Sequence, residues 1–452
     1  MDAPAINKQT EVIFDILPGG RVRHRLNVGT PSKELLHRFG RLMADATRAR
    51  VEREIGADDC LGGVFQYGFP VGESAFLDAL AAFLTREYAA PVNREDLVQT
   101  NGATFALVFM LDQLFPQRAP VYVEKITYFR SLAILRGWGY ETRPIRTEED
   151  GIDVRDLERV WSRELRDADP TAAHYAAVLY ITPQFHNPLG TVLSERKARE
   201  VLRLARRFNV LVICDDVYNL HSFDGTLHRR LFALDCPTDA DYGKGHVVSN
   251  GSFSQIFMPA LRLGWVEAGP TVRRLCFERS PITCSGGSMN TFAGGVVAEI
   301  LGGPLAHEHV RRTREDAKVD TRSQSLDSTE GLQKKMAVAL ETLDKHLPPA
   351  CAVAHRPTGG YFVYVTLPPA LDSTAVCAAM RTEHGIWVND GKLEARVLPP
   401  SQDPTHPFHE HGVHADFLDA LAVAAVDVAR LAAHGPHRVV QAQRKALERG
   451  QL

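Results

Sequence analysis

The segment Ala176-Ala-Val-Leu-Tyr-Ile181 is followed by Ser194-Glu-Arg-Lys-Ala-Arg-Glu-Val-Leu-Arg-Leu-Ala205 and then by Val210-Leu-Val-Ile-Cys214. The first and third pieces are short unbroken apolar runs, the pattern of strands covered on both faces. Between them Ser194 offers a helix cap, and Val201, Leu202, Leu204 and Ala205 fall on one helical face. Strand, helix and strand joined by short links predict a mostly parallel sheet with crossover helices, an α/β fold. Upstream, Val121-Tyr-Val-Glu-Lys-Ile126 reads as a further strand. Reactive groups in such sheets gather at the carboxyl ends of strands, and Asp215 stands directly after the third piece.

The rest of the chain agrees with a small-molecule enzyme. At 452 residues it is long enough for two or three domains and a large buried core. Its 44% hydrophobic and 24% charged content excludes a fibrous or wholly disordered protein. With 52 Lys and Arg against 55 Asp and Glu, the net charge of -3 supplies no field to attract nucleic acid or an anionic membrane. Seven scattered cysteines (60, 214, 236, 276, 284, 351 and 377) without a CxxC predict reduced thiols, neither a disulfide framework nor a zinc site. The amino terminus lacks the pattern of a secretory signal, and no apolar run is long enough to span a bilayer. A soluble cytoplasmic chain is expected.

Beyond residue 318 the pattern changes. Residues 319–331 are polar and read as a loop or insertion. Helical periodicity resumes over Leu332–Leu347, and a Gly359-Gly360 turn leads into a strand over Tyr361–Leu367. The end of the chain, from Gly435, is polar and basic and reads as a loose tail.

Four motifs carry chemistry. Asn101-Gly-Ala-Thr-Phe-Ala106 opens an apolar helix through Leu114, so free backbone amides and the positive end of the helix dipole face whatever sits there, most often a phosphate. Thr182-Pro-Gln-Phe-His-Asn187-Pro-Leu-Gly190 follows a strand and by itself fits a plain turn. Asp215-Asp-Val-Tyr218 places a carboxylate and a phenol beyond an apolar strand; the carboxylate suits a protonated ring nitrogen, the phenol an oxyanion. A helix cap with a surface tyrosine is the bland alternative. Gly251-Ser-Phe-Ser254-Gln255, with Arg262 seven residues on, combines two hydroxyls with a planar, permanently charged fork suited to a dianionic phosphate, or else to a structural turn. Each motif alone is ambiguous; their joint order and spacing are not.

Together with Phe65-Gln-Tyr67-Gly68, Gly72, and Glu124 with Tyr128, these motifs resemble the fold-type-I pyridoxal-phosphate-dependent aminotransferases of class I/II. The resemblance is strongest to the branch holding 2-aminoadipate and aromatic aminotransferases and the aminotransferase domains of MocR regulators, and runs from about Asn27 to Leu367. It implies a mostly parallel mixed sheet in a large domain beside a smaller α/β domain. The corresponding division is an amino-terminal arm and part of the small domain over 1–55, a large cofactor domain over 56–315, a small domain over 316–435 and a tail over 436–452. A DNA-binding regulator is not expected, because family-like sequence begins within about the first 30 residues with no basic recognition helix before it.

By that resemblance Asp215 pairs with the pyridine nitrogen of the cofactor, and Tyr218 and Asn187 bond its phenolic oxygen, Asn187 also facing substrate. Tyr128 stacks on the ring. The amides of Ala103 and Thr104, with Ser252, Ser254 and Arg262, cradle the phosphate. Tyr67 reaches the phosphate of a partner subunit, which implies a homodimer. The reaction implied is amino transfer between an amino acid, of 2-aminoadipate or aromatic type, and a 2-oxo acid.

Two departures stand out. Gln255 occupies the position of the family's Schiff-base lysine. A carboxamide nitrogen, its lone pair delocalised into the carbonyl, neither forms an imine nor acts as a base near neutral pH, and losing a general base costs about 10²–10⁴-fold. Lys244 and Lys125, the lysines nearest in sequence, lie off the motif. The second departure is the strand that carries the family's substrate-carboxylate arginine. In its place stand Ala395-Arg396-Val-Leu-Pro-Pro400 and a histidine-rich run, His406, His409, His411 and His414, with Arg396 as the candidate stand-in. The histidines, set among Pro and Gly, read as an exposed loop and not a metal site. Two readings follow: an aminotransferase holding pyridoxal phosphate without a covalent bond, or using pyridoxamine phosphate; or a catalytically impaired homologue that binds cofactor or serves as a regulatory subunit.

Overall fold

The computed structural model describes residues 24–25, 29–31, 33–57, 63–115, 118–286, 289–303, 306, 310, 332–381, 386–390 and 412–416. The segments 319–331, 391–411 and 417–452, and with them Arg396, His406, His409, His411 and the expected tail, lie outside the described residues. The amino-terminal helices α1 (Lys33–Gly56) and α2 (Ser74–Tyr88) precede the main sheet. From there strand and helix alternate: β1 (Leu97–Thr100), α3 (Ala103–Leu114), β2 (Val121–Glu124), α4 (Phe129–Gly137), β3 (Thr142–Ile145), α5 (Val154–Glu164), β4 (Ala177–Ile181), α6 (Glu195–Phe208), β5 (Val210–Asp215), β6 (Val247–Ser252) and β7 (Gly264–Ala268).

These seven strands form one sheet in the order β1-β7-β6-β5-β4-β2-β3. Only β7 runs against its neighbours; β6, β5, β4, β2 and β3 are mutually parallel. Alternation along each strand feeds both faces. In β4 and β5, Val178, Tyr180, Leu211 and Ile213 pack with α3, whereas Ala177, Leu179, Ile181, Val210, Val212 and Cys214 pack with α5 and α6. Each such aliphatic side chain is fully buried, a contribution of about 1.5–3 kcal/mol relative to exposure. Ser194 caps α6 by accepting from the Lys197 amide, and Asn209 ends that helix in the left-handed conformation. The strand expected over 210–214 runs one residue further, because Asp215 pairs in register with Asn250.

A second, antiparallel sheet has the order β8-β9-β11-β10, from β8 (Ala352–Val353), β9 (Phe362–Thr366), β10 (Asn389–Asp390) and β11 (Gly412–Asp416). Helices α8 (Leu332–His346), which follows α7 (Thr291–Leu301), and α9 (Ser373–Ala379) pack on it through Met336, Leu340, Leu343, Val376 and Cys377. His24–Arg25 pairs in parallel with Ile386–Trp387, which joins an early segment of the chain to a late one. No described helix is long and apolar enough to cross a membrane. Six of the seven cysteines are free; Cys60 lies outside the described residues.

Candidate active site

Five strands of the main sheet end at one cleft, a cavity of about 400 Å³. β1 delivers Gly102 and the start of α3, β2 leads to Tyr128, β4 contributes Tyr180, β5 ends on Asp215 and β6 ends on Ser252. Parallel strands with crossover helices necessarily bring these ends together, since every crossover begins on the same edge of the sheet.

Asp215 is the electrostatic centre. Tyr180 donates its hydroxyl to Asp215 Oδ2 at 2.5 Å, while Oδ1 is shut off from solvent with no hydrogen-bond partner. Burial pushes the Asp215 carboxyl up to about 6; the Tyr180 bond pulls the other way, and buried Asp216 adds repulsion. Burial, reinforced by the Asp215 charge, holds the Tyr180 phenol well above its ordinary range, so it stays a donor. Asp216 turns away and accepts from Ser249 Oγ. Burial likewise raises the Cys214 thiol far above the usual range, which keeps it inert. An ionised carboxylate with one orphan oxygen in a cavity is a receptor for a cationic N–H.

At another wall, α3 begins with Gly102 at φ +89° and no side-chain cap, leaving its first amides open. Ser252 Oγ accepts from the Ser254 amide at 3.1 Å and lies 3.0 Å from Ser254 Oγ. Arg262 reaches Ser254 Oγ at 3.3 Å and the Pro259 carbonyl at 2.9 Å. Asn250 ties this wall to the helix by donating to the Ala103 carbonyl at 2.9 Å. The close approach depends on glycine. A Cβ on Gly264 would sit 2.5 Å from the Gly251 carbonyl oxygen and 2.9 Å from Gly102 Cα. Hydroxyls, open helix amides and a guanidinium converging on one point suit a dianion.

Nine of the expected residues line the cleft: Ala103, Thr104 and Tyr128; Asp215 and Tyr218; Ser252, Ser254, Gln255 and Arg262. Tyr218 is buried, not the surface tyrosine of the bland alternative. Asn187 stands one side chain back and donates to Tyr218 Oη at 3.4 Å. Its loop is anchored by buried Glu124, which accepts the Thr182 amide at 2.9 Å and lies 2.9 Å from His186 Nε2. Tyr67 stands apart, 81% exposed. Tyr180, Asn250, Ser131 and Arg130 also line the cleft and carried no sequence signal. Tyr180 was legible only as one more apolar strand position.

Gln255 is half-buried, and its Oε1 is enclosed without a hydrogen-bond partner. Its backbone carbonyl accepts from Tyr361 Oη at 2.9 Å and lies 3.3 Å from His221 Nε2, so the loop is clamped from two directions. Among the described residues no lysine lines the cleft. Lys244 is occupied elsewhere, donating to the Ala172 carbonyl and lying over the Tyr175 ring, and burial draws its ammonium down to about 8.

The family described as aminotransferase class I and II matches residues 40–396 of this sequence. The chain belongs to that family. The aromatic-amino-acid aminotransferase 1 of Thermococcus litoralis is 24% identical over 310 residues, covering 68% of this chain and 67% of its own. Among solved structures, a multiple substrate aminotransferase from Thermococcus profundus superposes with TM-score 0.73 at 20% identity, over 98% of this chain and 96% of that one. The Pyrococcus horikoshii kynurenine aminotransferase, solved with PMP, gives TM-score 0.72 at 21% identity, over 96% and 94%. The family match places the chain among the pyridoxal-phosphate-dependent aminotransferases, a family whose chemistry is amino transfer between an amino acid and a 2-oxo acid, and the superpositions show the same fold.

Proposed function

We propose that this chain holds pyridoxal phosphate, or pyridoxamine phosphate, without a covalent bond and transfers amino groups between a 2-aminoadipate-type or aromatic amino acid and a 2-oxo acid. The observation that carries this reading is the orphan Asp215 Oδ1, enclosed in the cleft and without a hydrogen-bond partner among the described residues. Asp215 would hold the protonated ring nitrogen, with Tyr180 donating to the other carboxylate oxygen. Tyr218, backed by Asn187, would bond the phenolic oxygen, and Tyr128 would cover the ring face. Ala103, Thr104, Ser252, Ser254 and Arg262 would hold the phosphate. When bound, the cofactor supplies an electron sink for the pair released at the substrate Cα.

Gln255 would stand where the family has its lysine, and its carboxamide serves neither as nucleophile nor as base. Retention therefore rests on the phosphate, the ring nitrogen and stacking. Arg396 remains the candidate for the substrate carboxylate. A homodimer is supported by the exposed aromatics Phe65, Tyr67 and Phe69, with Phe292 stacked on Phe65 at 6.3 Å. The buried free thiols of Cys214, Cys276, Cys351 and Cys377 suit a reducing cytoplasm.

The test is absorbance of purified protein titrated with pyridoxal phosphate, before and after borohydride. Saturable binding that washes out after borohydride treatment supports the proposal, and a Gln255→Lys variant should then retain the reduced cofactor permanently. No saturable binding by the unaltered chain, or a lysine adduct formed by it, overturns it.

A further inference from the structure

The cleft carries three formal charges among its described lining residues: Asp215, Arg262 and Arg130. Two have evident work. Asp215 is bonded to Tyr180, and Arg262 is tied into the hydroxyl wall by Ser254 and Pro259. Arg130 does not fit that division. It sits in the first turn of α4, two residues after Tyr128 and on the same helical face as Ile134, another lining residue. Among the described residues its guanidinium meets only the Phe129 ring, 5.0 Å from the centroid, and no carboxylate. An arginine is permanently charged and offers five donors in a planar fork, a geometry that matches a carboxylate. A cation that lines a substrate-sized cavity without a counter-charge among the described residues, and meets only the Phe129 ring there, is arranged to receive an anion from solution.

We infer that Arg130 is a specificity-determining residue that receives a carboxylate of the substrate. This rests on the aminotransferase reading and adds a feature the family motifs do not include. If the bound group is the side-chain carboxylate, the chain prefers dicarboxylic substrates over aromatic ones. If it is the carboxylate common to all 2-oxo acids, Arg130 takes the anchoring role proposed above for Arg396 and serves every substrate.

Calorimetric titration of protein loaded with pyridoxal phosphate against 2-oxoglutarate and against phenylpyruvate distinguishes these. Neither ligand carries an amino group, so no transfer begins and binding alone is read. Arg130→Gln should weaken 2-oxoglutarate by about 10–100-fold, the usual worth of hydrogen bonds to a charged group. Phenylpyruvate should be unchanged in the side-chain case and weakened equally in the other. Arg130→Lys should recover part of the loss, because an ammonium keeps the charge but not the fork. Unchanged affinity for both ligands in Arg130→Gln overturns the inference. So does a variant that loses pyridoxal phosphate while keeping its 2-oxo acids, since Arg130 would then serve the phosphate. Should the unaltered chain fail to take up pyridoxal phosphate, the cofactor reading falls; the same titrations on cofactor-free protein still decide the role of Arg130.

Discussion

Replacing Asp215 by Asn should make the cofactor-free protein more stable and the cofactor-loaded protein less so. The carboxyl is pushed from an ordinary value of 3.8 up to about 6 by burial. A folded-state value above the unfolded one means that the protonated form is favoured on folding. Stability is therefore fullest at low pH and falls as pH rises through 6. About two pKa units at roughly 1.4 kcal/mol each amount to about 3 kcal/mol at pH 8. Asn keeps an oxygen to accept from Tyr180, so most of that should appear as a gain. With the unfolding entropy typical of a chain this long, the melting temperature should rise by about 2–3 °C. The gain should shrink to about half at pH 5. Pyridoxal phosphate should reverse the order by giving the wild-type carboxylate a cationic N–H to face. The assay is thermal unfolding of both proteins between pH 5 and 8, with and without cofactor. A variant less stable than wild type at pH 8 without cofactor, or a difference flat across that range, would refute the reasoning.

Two further perturbations test the scaffold. Gly102→Ala places a side chain at φ +89° with its Cβ 3.0 Å from Arg262 Nη2, so affinity for pyridoxal phosphate should drop at least tenfold by absorbance titration, with phosphate-free pyridoxal less affected. Glu267→Gln breaks a buried two-bond pair with Arg230 (3.0 and 2.7 Å), whose guanidinium also lies 4.1 Å from the Tyr88 ring centroid. It should cost about 3–5 kcal/mol in urea unfolding, and the double change Arg230→Met with Glu267→Leu should recover only part of it, because buried Asp216 then loses the attraction of Arg230.

Both strands and the helix read from residues 176–214 are present, and the capping of α6 by Ser194 could be read directly because a cap is a three-residue event. The parallel sheet was legible for the same reason: uninterrupted apolar runs joined by a short amphipathic helix have few other ways to bury both faces. The wall of open helix amides, hydroxyls and guanidinium was legible where local motifs encode it, in Gly102, Ser252, Ser254 and Arg262. Tyr180 and Asn250 escaped notice because nothing adjacent in sequence marks them; each takes its place through a partner distant in sequence, Asp215 on the adjacent β5 for Tyr180 and Ala103 at the start of α3 for Asn250.

By itself, then, the order of residues determined which segments form strands and helices and that Asp215 follows a buried strand, since periodicity acts locally. Only the tertiary structure decided how those groups are charged and occupied. Asp215 became a carboxyl raised toward neutrality because strands distant in sequence exclude water from it, and Arg130 became a lone cation because the fold brings no carboxylate to it among the described residues. Burial and counter-charge are properties of neighbours in space, and those neighbours are chosen by packing.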